Sequence, residues 1–193
     1  MSRVVLASAS PRRHELLTRT GVPFVVRAPD IDESPLDGEE PVDYVRRLAS
    51  EKASAVDPGL HELIIAADTT VDLDSQILGK PLDDLEAAAM LRQLSGRTHH
   101  VHTGVALRID GRQFVEVCTT LVTFVALDES TIAWYVSTGE PMGKAGAYAL
   151  QGAGAALVSS VHGSVSNVIG LPMHLVLELA GRGGIDLLAT TGT

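Results

Sequence analysis

Two rhythms of apolar positions alternate along this chain, short unbroken runs and stretches with helical spacing, so strands and helices are expected to follow one another. Residues 3–8 read as a buried strand, and Pro11 stands where a helix begins, with Ser10 before it able to accept a first-turn amide hydrogen bond. That helix continues over 14–20 until Gly21-Val22-Pro23 stops it, and 24–27 form a short strand. A polar, acidic, proline-containing loop then runs to Pro41. Val42, Val45, Leu48, Ala49 and Ala53 give residues 42–56 helical spacing, ended by Asp57-Pro58-Gly59. Residues 63–67 are a continuous apolar run expected to stop at Asp68-Thr69-Thr70, delivering acidic and hydroxyl side chains to a strand end, where sites are commonly assembled.

Downstream, 83–94 reads as a helix, 99–109 and 114–125 as two strands around Asp110-Gly111, and 129–137 as a short helix. Residues 139–154 hold five glycines and one proline, which suits a functional loop with a short strand inside it. Residues 155–161 are expected as a strand and 172–180 as a last helix, with Gly181 onward fraying. No internal repeat or linker interrupts the pattern, and 193 residues fit one domain. Helices alternating with a meander-like strand pair predict a mixed α/β or α+β sheet rather than a strictly parallel one.

Composition narrows the function. Hydrophobic residues at 45% and charged residues at 20% match folded domains, while aromatics at 4% leave a core of Val, Leu, Ile and Ala and exclude widespread base stacking. A net charge of -9 argues against a nucleic acid polymer as partner, since such binders displace counterions with Lys and Arg. A polyanion must then be met locally, by basic residues converging in one cleft with help from a divalent cation. Cys118 is the only cysteine, so intrachain disulfides and multi-cysteine metal sites are excluded and a cytoplasmic protein is expected. The first apolar stretch is too short for a signal peptide and no run of about 18 apolar residues occurs, so no membrane partner is expected.

Several segments carry candidate chemistry. Ser8-Ala9-Ser10-Pro11-Arg12-Arg13 places hydroxyls, a helix N-terminus and two guanidinium groups within one turn, a combination that grips phosphate; the alternative is a capped helix with solvated arginines. Asp68 suits metal binding or the orientation of an attacking water, against a turn aspartate bonded to its own backbone. Glu33 offers a second carboxylate, or a solvated one. Gly79-Lys80-Pro81 and Gly143-Lys144-Ala145-Gly146 each set a lysine beside a glycine, where backbone can approach an oxyanion, and Lys52 sits on a predicted helix; any of the three lysines could instead be solvated. Neither glycine-lysine segment is a Walker A loop, and no Gly-x-Ser-x-Gly elbow supports Ser-His-Asp hydrolysis. Of His99, His100 and His102, only the last two can share a strand face, too few for zinc; His99 reads as structural and the others as surface residues.

Taken in order, these segments resemble the Maf family of nucleotide pyrophosphatases. The resemblance runs from Leu6-Ala7-Ser8-Ala9-Ser10-Pro11-Arg12-Arg13 through Asp32-Glu33, Lys52-Ala53, Ala67-Asp68-Thr69-Thr70-Val71 and Gly79-Lys80-Pro81. It continues in Ser95-Gly96-Arg97-Thr98-His99, Thr138-Gly139-Glu140-Pro141, Gly143-Lys144-Ala145-Gly146-Ala147-Tyr148, Gln151-Gly152 and Asn167-Val168-x-Gly170-Leu171-Pro172. It implies an α/β fold like that of inosine triphosphatases, a mixed twisted sheet flanked by helices with a deep cleft between two lobes, in a homodimer that uses magnesium or manganese. It also implies attack of water on the α-phosphorus of a nucleoside triphosphate, giving a monophosphate and pyrophosphate. On this resemblance Asp68 is the proton acceptor, Glu33 aids the metal or the water with Asp68 as the metal's other ligand, and Ser8, Ser10, Arg12, Arg13, Lys52, Lys80 and Lys144 face the phosphates. Arg12, Thr69 and Gln151 match the branch acting on thymidine and uridine triphosphates, and a glutamine amide can both donate to and accept from a pyrimidine edge. Val165 stands where the family often has tyrosine, a change expected to alter a cleft wall or a hydrogen bond. Competing readings are a pyrophosphatase for 7-methylguanosine or inosine triphosphate and a non-catalytic regulator of septum formation.

Overall fold

The computed structural model describes residues 3–189. Strand β1 (Arg3–Leu6), helix α1 (Pro11–Thr18), strand β2 (Phe24–Val26) and helix α2 (Pro41–Ser54) come first. Strands β3 (Glu62–Leu73) and β4 (Gln76–Leu78), helix α3 (Asp84–Leu94), strands β5 (Thr98–Ile109) and β6 (Arg112–Phe124) and helix α4 (Glu129–Ser137) follow. The chain ends in β7 (Val158–His162) and helices α5 (Val165–Ile169) and α6 (Met173–Arg182). All seven strands join one sheet in the order β2-β1-β3-β5-β6-β7, with β4 paired to β3. β1 runs parallel to β2 and β3, as its helical connection to β2 allows, and every other pairing is antiparallel. The expected mixed α/β sheet is therefore present.

Period-2 alternation sorts the core. Leu63, Ile65 and Ala67 of β3 face α1 and α6 with Leu17, Val176 and Leu179, whereas Ile64 and Ala66 face α2 with Ala49 and Ala53. α2 can lie this close because position 104 is glycine: a Cβ there would collide with the Val45 carbonyl. Farther along the sheet, Val71, Leu78, Leu91, Val101, Phe124 and Tyr135 build a second cluster under α3 and α4. Two strands share one edge of β3. β1 covers residues 62–65 and β4 covers 71–73, which leaves the intervening stretch of that edge open. The site lies in this opening.

Several expectations need correction. β3 does not stop at Asp68, because the β-branched Thr69, Thr70 and Val71 carry it on to a two-residue turn at Asp74-Ser75, both with positive φ (55° and 66°). That turn creates β4, which was not expected, and the short α5 was not expected either. Residues 139–154 contain a 3-10 turn at Ala145–Ala147 but no strand, and a second 3-10 turn at Ala153–Leu157 takes up the first part of the strand expected over 155–161. Ser10 precedes α1 but makes no side-chain capping bond. Fraying does not begin at Gly181: α6 reaches Arg182 and Leu187 is 2% exposed, while residues 190–193 lie outside the described range. Among the described residues no helix is long and apolar enough to cross a membrane.

Candidate active site

A cleft of about 790 Å³ opens where β3 lacks an edge partner, and it is lined by the eleven residues to which the resemblance gives a site role. β1 delivers the first of them. Ala7 N still bonds Ile65 O at 2.8 Å, and the chain then leaves the sheet at Ser8, whose Oγ accepts from Ser10 N (3.1 Å) and Arg13 Nη1 (3.3 Å). Pro11 opens α1 at the cleft, so the first-turn N–H groups of Arg12 and Arg13 have no intrahelical acceptor and point toward an incoming anion. The Arg13 fork is held from three sides: Nε donates to Gly170 O at 2.8 Å, Nη2 to Thr69 Oγ1 at 3.1 Å, and Nη1 to Ser8. Gly170 has φ of 124°, a region that suits glycine, and this presents its carbonyl to the guanidinium.

Asp68 comes from the open edge of β3, and its nearest partner belongs to α2. Lys52 Nζ lies 2.6 Å from Asp68 Oδ1 and 2.6 Å from Glu33 Oε1, so one buried ammonium bridges both carboxylates. Glu33 Oε2 is 3.5 Å from Lys80 Nζ, and the backbone carbonyl of Glu33 accepts from Tyr44 Oη at 2.9 Å. Burial pushes the Glu33 carboxyl up, but Lys52 and Lys80 outweigh it and hold the group below the usual glutamate range. Burial first, and then the charges of Asp68 and Glu33, push the Tyr44 phenol up to about 12.

The opposite wall is built from two loops tied together, since Gly146 N donates to Gly79 O at 3.1 Å. This brings Lys80 and Lys144 to one cleft, with Gln151 farther along the same loop. Arg12, Arg13 and Lys144 all have pKa values lowered, chiefly by burial. Five cations thus surround two carboxylates inside a chain whose net charge is -9, an arrangement suited to a compact polyanion.

Other candidates lie elsewhere. His99 is fully buried, with Nε2 2.9 Å from Tyr148 Oη and its ring edge-on to Phe124, which bears out a structural role. His100 and His102 do share a face, their rings stacked 5.6 Å apart, but His102 is not a surface residue: it is 4% exposed and bonded to Thr119 and Asp72. Among the described residues no group of three or more His, Cys, Asp or Glu side chains is placed to hold a metal on its own. Val165 is 52% exposed and does not line the cleft, so the expected change to a cleft wall does not follow. Tyr44 and Tyr148 also line the cleft, and the buried Thr103 links Thr69 Oγ1 (2.9 Å) to Asn167 O (3.1 Å). Tyr148 lies within a segment that carries the resemblance, but nothing in the spacing gives any of the three a role; the fold brings them to the site.

The family described as Maf-like protein matches residues 3–182. A dTTP/UTP pyrophosphatase of Symbiobacterium thermophilum is 47% identical over 190 residues, covering 97% of each chain. A dTTP/UTP pyrophosphatase of Myxococcus xanthus is 53% identical over 188 residues, covering 95% of this chain and 94% of that one. Among solved structures, a HAM1 protein from Coxiella burnetii is similar at 21% identity, covering 64% of this chain and 73% of that one with a TM-score of 0.46.

Proposed function

The chain belongs to the Maf-like protein family, and from that membership we propose that it is a nucleoside triphosphate pyrophosphatase, hydrolysing dTTP and UTP to the monophosphate and pyrophosphate. The observation that carries the reading is the cleft itself, in which Arg12, Arg13, Lys52, Lys80 and Lys144 converge on Glu33 and Asp68.

In this reading water attacks the α-phosphorus in line with the departing pyrophosphate, and the Asp68 carboxylate orients that water and takes its proton. Lys52 holds Asp68 and Glu33 toward one point by its two contacts. Charge that builds on the phosphate oxygens and the leaving group is met by the N-terminus of α1, by Arg13 and by the lysines of the two tied loops. Ser8 and Ser10 complete the phosphate cradle. Base choice falls to Arg12, Gln151 and Thr69; the Thr69 hydroxyl is already bonded to Arg13 and Thr103, so its influence runs through the placement of Arg13.

The donor set fits magnesium or manganese. Two carboxylates at the edge of a phosphate cleft are the usual protein share of such a site, and substrate oxygens supply the remainder. Glu33 and Asp68 would hold the ion, each already giving one oxygen to Lys52. A bound ion would supply positive charge against the phosphates. The family resemblance extends the reading to a cytoplasmic homodimer; purified protein that sediments as a monomer would remove the dimer from it.

The test is a panel of nucleoside triphosphates incubated with purified protein, magnesium or manganese, and separately a chelator. Pyrophosphate and monophosphate should appear from dTTP and UTP ahead of inosine and 7-methylguanosine triphosphates, and turnover should vanish with the chelator and return on adding metal. Release of orthophosphate, or preference for the purines, would overturn the proposal.

A further inference from the structure

The stretch that carries Lys144 and Gln151 has neither a strand nor an α-helix to place it, only the 3-10 turn at Ala145–Ala147 and the one that begins at Ala153. Its positions must come from other bonds, and these converge on one side chain. Glu140 Oε1 accepts from Tyr135 Oη at 2.8 Å and from Gly154 N at 2.9 Å, and Oε2 accepts from Ala153 N at 2.9 Å. Tyr135 Oη accepts in turn from Ala149 N at 3.1 Å. The carbonyl oxygen of the same glutamate accepts from Lys144 Nζ. Chain is therefore pinned two residues before Gln151 and two residues after it, and the lysine is tethered to the same point.

The glycines show that this wrapping is a close fit. A Cβ at position 152 would collide with the Glu140 carboxylate, and one at 154 would stand 2.6 Å from Ala149 O and 2.7 Å from Tyr135 Oη. Only backbone without side chains can pass there. Neither Glu140 nor Tyr135 lines the cleft, so any effect they have on substrate acts through residues that do.

We propose that Glu140 is the positioning residue for base selection, its carboxylate fixing the backbone on either side of Gln151 and its carbonyl fixing Lys144. The proposal rests on the pyrimidine triphosphate reading above. A carboxylate can accept all three bonds at once, whereas a glutamine turns one acceptor into a donor that faces another donor. The loop then loses a tie without losing any group that touches substrate.

The experiment compares wild type with Glu140→Gln and Tyr135→Phe, measuring kcat and KM for UTP and for inosine triphosphate by pyrophosphate release. Glu140→Gln should raise KM for UTP about tenfold with kcat within about threefold, and lower the UTP-to-inosine preference in kcat/KM by about tenfold. Tyr135→Phe, which removes both bonds of the hydroxyl and keeps the ring, should move both quantities the same way by less, because the Glu140 bonds to Ala153 N and Gly154 N remain, and it carries the test if Glu140→Gln does not fold. Glu140→Asp, which keeps the charge, should regain part of the preference. Unchanged preference in a folded variant, or an equal fall in kcat for both nucleotides, would overturn the proposal while leaving the enzyme's reading intact. Failure of the wild type to release pyrophosphate from UTP would instead overturn the reading beneath it, and the proposal with it.

Discussion

Asp68 and Lys52 form a buried pair, 9% and 8% exposed at their side chains, and Glu33 joins it from the cleft mouth. A charge pair this enclosed beside a phosphate cleft is costly to hold unless it has work to do. Asp68→Asn keeps the shape and removes the base: kcat for UTP should drop at least about a hundredfold at saturating metal, because the lost carboxylate both orients the water and helps to hold the ion. Steady-state kinetics on a variant with an unchanged thermal midpoint checks this. At this scale the sequence was informative where chemistry is local. Ser8, Ser10, Arg12 and Arg13 share one helix start, a spacing that offers a phosphate cradle beside the alternative of a capped helix with solvated arginines, and the fold puts all four at the cleft. It was silent where partners are distant. That Lys52 would bridge Glu33 and Asp68, or that Thr69 would be shared by Arg13 and Thr103, depends on contacts 16 to 56 residues apart in the chain.

Strand β3 is the element on which the site depends. Its apolar first half was plain, but its continuation through Asp68 was not, since a buried acid inside a strand looks like a strand's end until the lysine that compensates it is seen. α2 supplies that lysine, and α2 can approach only over Gly104. The neighbouring β5 brings a different consequence. Burial drives the His99 imidazole down to about 4, against an ordinary value of 6.5. The unfolded chain therefore takes up a proton near pH 6.5 that the folded chain refuses until about pH 4. Stability linked to His99 is thus fully present above pH 6.5 and is lost as pH falls through that window, by roughly 3 kcal/mol at about 1.4 kcal/mol per unit. Urea unfolding at pH 7.5 and pH 4.5 should show this drop in wild type and a markedly smaller one in His99→Asn; equal drops would exclude His99 as the source. His102, lowered in the same direction chiefly by burial, adds to the same trend.

The whole molecule is acidic, yet one cleft gathers five cations, so the charge balance that argues against a nucleic acid polymer is compatible with a single small polyanion. The mixed sheet and its helices could be anticipated from apolar periodicity, and the cleft's location could not. It arises because β1 and β4, separated by about seventy residues, cover different parts of one edge of β3 and leave Asp68 between them. Everything proposed for the reaction follows from which phosphorus that gap presents to water. Hydrolysis of UTP in oxygen-18 water, read by mass spectrometry of both products, tests this most directly. Attack at the α-phosphorus puts the label in UMP and none in pyrophosphate; label in pyrophosphate or in orthophosphate would rule out attack there.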